Sequence, residues 1–217
     1  MKTFVKICGI TNPEDAKIAA GSGADFLGVI LEINGSPRSV SVDTARKIID
    51  VSSIPVILLL EKPGQAIKQL LSHISPHGVQ LIGEYPLNDI KGLKAQASCA
   101  VWKTIRVPKN KENKIPLPDL LGALKKYPDS GVDVLVLDTL VKKKKGGTGQ
   151  ICDWSTAEKL VSSSPVPVFL AGGITPVNVK KALDQVQPYG IDVSSGVETK
   201  PGRKDPQKIK QLMQNIK

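Results

Sequence analysis

Eight short apolar runs rich in Val, Ile and Leu, each followed by a turn signal and a stretch of helical spacing, predict an α/β chain. Near-continuous apolar strands are what a parallel sheet buried on both faces requires, and eight strand–helix units suit either a doubly wound sheet or a closed barrel. At 217 residues the chain sits near the lower end of the roughly 200 to 400 that (β/α)8 barrels occupy. The expected architecture is therefore one (β/α)8 TIM barrel domain over residues 1–217, with few insertions.

The strands are expected at Phe4–Cys8, Phe26–Leu31, Pro55–Leu60, Val79–Ile82, Val101–Val107, Val132–Asp138, Val166–Ala171 and Ile191–Ser194, the places where the apolar runs fall. Helical spacing of apolar residues follows each of them, at Pro13–Gly21, Val42–Asp50, Gln65–Ile74, Leu87–Ala95, Leu117–Tyr127, Trp154–Ser162, Pro176–Gln185 and Pro206–Ile216. The stretch from Pro108 to Pro118 is polar and basic around Asn110–Lys114 and reads as an exposed loop.

Composition narrows the function classes. Hydrophobic residues make up 41% and aromatics only 4%, so the core is expected to be mainly aliphatic. Thirty Lys plus Arg against twenty Asp plus Glu leave a net charge of +10 with both signs dispersed, which favours anionic ligands and argues against a disordered tail. No apolar run approaches the roughly 20 residues of a spanning helix, and the first ten residues carry Lys2 and Lys6 inside what reads as a strand rather than a signal peptide, so a soluble, cytoplasmic protein with no membrane association is expected. Cys8, Cys99 and Cys152 form no CxxC pair, so neither a disulfide frame nor a zinc cluster is suggested. His73 and His77 have helical metal-pair spacing, but Ser75-Pro76 breaks the helix between them, and no metal site is assigned.

In a barrel the loops after the strands gather at one face, so functional residues should stand where each run stops. Gly172-Gly173 opens the seventh helical stretch and Ser194-Ser195-Gly196 follows the eighth strand, a pairing whose amides suit a phosphate, although glycine pairs also serve simply as tight turns. Asp138 closes an apolar run, surroundings that favour a neutral carboxyl able to act as an acid, with a solvated loop carboxylate as the alternative. Cys8 taken alone reads as a buried structural thiol. Arg38 in Gly35-Ser36-Pro37-Arg38 carries a fork suited to a carboxylate, or is simply solvated. Lys142–Lys145 with Gly146-Gly147-Thr148-Gly149 suggests a basic lid or a solvated loop.

Taken in order, Val5-Lys6-Ile7-Cys8-Gly9-Ile10-Thr11, Gly23-Ala24-Asp25, Ser36-Pro37-Arg38-Ser39-Val40-Ser41, Val79-Gln80-Leu81, Leu137-Asp138-Thr139, Gly146-Gly147-Thr148-Gly149 with Asp153-Trp154, Ala171-Gly172-Gly173-Ile174 and Gly190 to Glu198 resemble, end to end, the phosphoribosylanthranilate isomerase family of tryptophan biosynthesis. The resemblance implies a cofactor-free Amadori rearrangement of a phosphorylated small molecule. By position, Asp138 would be the general acid and Cys8 the general base. Arg38 would grip the anthranilate carboxylate, Asp192 would be a substrate-proximal acid, and Gly172, Gly173, Ser195 and Gly196 would hold the phosphate. Such a base works better when cations lower its thiol, and Lys6 shares a strand face with Cys8.

Two departures stand out: Ile82 replaces an imidazole usual after Gln80-Leu81, and Glu32 brings negative charge into a segment that is often aromatic-containing. They leave room for a divergent isomerase acting on another phosphosugar amine. A non-catalytic phosphate-ligand barrel is a further alternative; nucleic acid is disfavoured by the few aromatic side chains and the dispersed basic ones. Either a monomer or a homodimer is compatible with the sequence.

Overall fold

A computed structural model describes residues 2–61, 71, 73–109, 115–140 and 151–216. The expected lid at 142–149, the core of the 110–114 loop and most of the third expected helix lie outside these residues. Eleven strands run in chain order: β1 (Phe4–Cys8), β2 (Phe26–Leu31), β3 (Ser39–Val40), β4 (Val56–Leu60), β5 (Gly78–Leu81), β6 (Ala100–Pro108), β7 (Val134–Leu140), β8 (Val168–Leu170), β9 (Gly190–Val193), β10 (Glu198–Lys200) and β11 (Arg203–Lys204). The described helices are α1 (Pro13–Gly21), α2 (Val42–Val51), α3 (Leu87–Gln96), α4 (Leu117–Lys126), α5 (Trp154–Ser163), α6 (Val179–Val186) and α7 (Pro206–Ile216). Parallel pairing in the order β1-β9-β8-β7-β6-β5-β4-β2, closed by β1 against β2, makes an eight-stranded barrel. None of the described helices is long and apolar enough to cross a membrane.

Local chemistry sets the element boundaries. The Asn12 side chain accepts the Asp15 amide at 2.9 Å and Pro13 follows it, so α1 starts where its sequence says. Asp205 does the same for α7, accepting the amides of Gln207 and Lys208. By contrast α6 begins three residues later than expected. Thr175 and Asn178 bond each other's backbone through their side chains, folding 175–178 into a turn that the helix must follow. Pro167 has no N–H to give a ladder, and β8 starts after it. Asp133, which accepts the Val101 amide and the Lys94 ammonium, belongs to the turn before β7. That strand consequently runs on to Leu140, and Asp138 lies within it rather than at its end.

Two cores follow from strand alternation. The large one fills the space between barrel and helices with aliphatic side chains such as Ile7, Leu27, Leu58, Leu81, Leu135 and Leu170. The barrel interior is different. Phe26, Trp102 and Phe169 meet edge-on or tilted at 4.8 to 5.8 Å near the strand N-termini, and Phe4 stacks on Tyr189 at 4.7 Å. Five of the chain's eight aromatic side chains thus fill the lower end of the barrel, at the opposite end from the strand C-termini.

Candidate active site

Directly above the aromatic layer lies a polar one. Lys6, fully buried, points its ammonium inward from β1 and donates to Asp192 Oδ2 and Gln80 Oε1, both at 2.8 Å. Gln80 passes the chain on to Thr104 Oγ1 at 3.0 Å, linking β9, β1, β5 and β6. Burial disfavours the Lys6 charge, yet Asp192 and Cys8 outweigh it and hold the ammonium above its ordinary value. The ion pair is buried and satisfied on the Lys6 side, whereas Asp192 Oδ1 has no partner among the described residues.

A pocket partly open to solvent sits on this layer. Cys8, Asp138 and Asp192 all line it, as do Gly172, Gly173 and Ser195. Ile30, Leu59, Ile82 and Val136 give it an apolar wall. Its walls carry unspent hydrogen-bonding capacity. Among the described residues Ser194 Oγ, like Asp192 Oδ1, is buried without a partner, and the amides of Gly172, Gly173 and Ser195 donate to no described acceptor. The two buried side-chain atoms are costly to leave unpaired.

Several expectations need correction. A base at Cys8 calls for a lowered thiol, and Lys6 shares its strand face; instead burial, and next the Asp192 charge, push the thiol up to about 11 against the pull of Lys6 and Lys204. Lys6 still draws the thiol down, but burial and the Asp192 charge beside it outweigh that pull. Asp138 was expected in an apolar wall, but its carboxylate pairs with Arg106 and also accepts the Thr139 amide at 2.8 Å. Arg38 was read as an available fork or a solvated side chain. It is 5% exposed and already grips Glu198, Nε to Oε1 at 2.8 Å and Nη2 to Oε2 at 2.6 Å. Lys204 Nζ meets the same Glu198 oxygen at 2.8 Å and the Cys8 carbonyl at 2.6 Å, tying the β10–β11 hairpin to the residue at the pocket floor. Burial works against the Glu198 charge, but the two cations outweigh it and hold the carboxyl below its ordinary value.

Gly172 and Gly173 do not open α6, since five residues separate Gly173 from it. Gly196 does not line the pocket: a Cβ there would lie 1.9 Å from the Ile174 carbonyl, so its role is close packing of the two loops. Gly196→Ala is accordingly expected to cost about 1–3 kcal/mol, read as a lowered Tm. Glu32 is exposed at a left-handed φ of 47° and lies outside the pocket lining, so its charge does not enter the site. His77 Nδ1 accepts the Val56 amide, a structural bond between strands. Sequence reasoning passed over Arg106, Thr104 and the Glu198–Lys204 pair. For Arg106 the signal was present: it shares its strand face with Trp102 and Thr104 and stands near a strand C-terminus.

The family model described as N-(5'-phosphoribosyl)anthranilate (PRA) isomerase matches residues 5–215. The chain belongs to the PRA isomerase family. It is 35% identical over 228 residues to the N-(5'-phosphoribosyl)anthranilate isomerase of Methanosarcina acetivorans, covering 100% of this chain and 94% of that one. Among solved structures, the PRA isomerase of Pyrococcus furiosus superposes with a TM-score of 0.84 at 31% identity, covering 99% and 98% of the two chains. A PRA isomerase in complex with reduced 1-(o-carboxyphenylamino)-1-deoxyribulose 5-phosphate superposes with a TM-score of 0.80 at 31% identity and the same coverage. The barrel is thus that of a PRA isomerase, and the chain is an isomerase of tryptophan biosynthesis.

Proposed function

We propose that the chain converts N-(5'-phosphoribosyl)anthranilate to 1-(2-carboxyphenylamino)-1-deoxyribulose 5-phosphate, with Asp138 as general acid and Cys8 as general base. One observation carries the reading: the thiol and the carboxyl line the same pocket, beside loops whose amides are unspent. Asp138 protonates the furanose ring oxygen, the C1'–O4' bond breaks, and the anthranilate nitrogen becomes an iminium. Cys8, as thiolate, removes the C2' proton while the C2'–H electron pair forms the C1'–C2' double bond and the iminium pair returns to nitrogen. The enolamine then tautomerises to the ketone. The iminium serves as the electron sink, so these steps call on no added cofactor.

Binding divides along the pocket. The phosphate sits against the amides of Gly172, Gly173 and Ser195, with Gly196 keeping that loop in register. A sugar hydroxyl satisfies Asp192 Oδ1 and Ser194 Oγ. The aryl ring lies on Ile30, Leu59 and Ile82, an apolar wall that favours anthranilate over a more polar phosphosugar amine. Arg38 Nη1, the guanidinium nitrogen that Glu198 leaves unused, takes the aryl carboxylate. Arg38→Ala is expected to raise KM at least about tenfold with a smaller effect on kcat. An unchanged KM would remove that contact from the account.

Mixing purified protein with freshly made substrate and following the loss of anthranilate fluorescence tests the whole reading. Turnover that also rescues a tryptophan auxotroph supports it. Phosphosugar binding without either result points to another phosphosugar amine or to a binding barrel.

A further inference from the structure

Arg106 enters the site by a route that the reaction steps above do not use. It stands opposite Asp138 in the β6–β7 ladder, and strand alternation turns Trp102, Thr104 and Arg106 to the barrel interior together. Its Nη1 donates to Asp138 Oδ2, while Oδ1 of the same carboxyl accepts the Thr139 amide at 2.8 Å. Each oxygen is therefore held by its own donor. Both side chains are only about a quarter exposed, 27% for Arg106 and 24% for Asp138, and both line the pocket.

Nothing else described competes for this contact. The other pocket arginine, Arg38, is engaged by both oxygens of Glu198, and Lys6 and Lys204 are taken by Asp192 and Glu198. On the neighbouring β5 side the wall is Ile82, which offers no donor. Among the described residues Arg106 is thus the one cation paired with Asp138. A carboxyl group turns easily about its terminal torsion, whose energy profile is broad. With the Thr139 amide alone it would keep one anchored oxygen and a free swing of the other.

We propose that Arg106 is a positioning residue for Asp138: its Nη1–Oδ2 contact fixes the carboxyl in the orientation from which the proton reaches the sugar ring oxygen. The proposal rests on the reading of Asp138 as the acid. Arg106 need not touch the substrate. Its contribution passes through Asp138, and that is what separates it from an anion-binding role. Misaiming a reacting group by a fraction of its length is a kcat effect, because the substrate still binds.

A kinetic double-mutant cycle tests it, using Arg106→Gln, Asp138→Asn and the double variant, with Arg106→Lys as the conservative replacement and a thermal melt to confirm that each is folded. Arg106→Gln is expected to lower kcat at least about tenfold with KM changed less than about twofold. Arg106→Lys should recover part of the loss. In the Asp138→Asn background, Arg106→Gln should have almost no further effect, since the carboxyl it served is gone. Three results overturn the proposal. A raised KM at unchanged kcat would make Arg106 a substrate ligand, and an equal kcat loss in both backgrounds would show that it acts independently of Asp138. Full activity in Asp138→Asn itself would remove the acid reading as well, a failure visible without any Arg106 variant.

Discussion

Replacing Cys8 with alanine is expected to lower kcat by about 10²- to 10⁴-fold, the scale of losing a general base, while the barrel remains folded. The sulfur sits at the top of β1, 6% exposed, and its removal deletes one atom from a pocket that is already partly open. The packing cost is therefore small and the chemical cost large. With burial pushing the thiol up to about 11, the thiolate is a minor species in the empty enzyme at neutral pH. Ionisation increases about tenfold for each unit of pH below that value. Alkylation of residue 8 by iodoacetamide, resolved by mass spectrometry, should accordingly be slow at pH 7 and climb steadily with pH toward about 11. Wild-type turnover in Cys8→Ala would mean that the C2' proton leaves by another route.

Asp138→Asn should produce a loss of similar size, about 10²-fold or more in kcat, for a different reason. The amide is nearly the same shape as the carboxyl but has no acidic proton to give, so ring opening stalls while the bound substrate keeps its contacts. The substitution also disturbs the local pairing. Two donors, the Arg106 guanidinium and the Thr139 amide, now face one oxygen and one NH2, so one of them loses its acceptor. KM is expected to stay within a few-fold of the wild-type value. A variant that retained full kcat would leave the ring oxygen to be protonated by some other group and would withdraw the assignment of Asp138.

Much of this arrangement could be read from the chain before folding, and the pattern of misses is informative. β1 and β2 start and stop where their apolar runs do, and α1 and α7 start where their caps say, because Asn12 and Asp205 accept amides two or three residues on. Boundaries moved where a side chain or a proline intervened, as at Asp133, Pro167 and the Thr175–Asn178 turn. In the site, Asp138 and the glycine loops could be placed at one rim because a parallel barrel gathers strand ends there, whereas Cys8 alone read as a structural thiol and took its role from the resemblance. The partners of those residues were not. Arg38 and Glu198 are 160 residues apart, and Lys204 and the Cys8 carbonyl 196 apart, so no local pattern announces that the guanidinium fork is already occupied or that the thiol is surrounded by balanced charges. The family resemblance supplied roles for residues; the structure supplied the neighbours that modify those roles.

The ring cluster formed by Phe4, Phe26, Trp102, Phe169 and Tyr189 has a consequence for traffic. A vessel stoppered at its bottom has a single doorway. The open-chain ketose must depart through the aperture by which the closed sugar arrived, and the next guest waits until it has gone. Accumulated product therefore contends for the same threshold as incoming substrate.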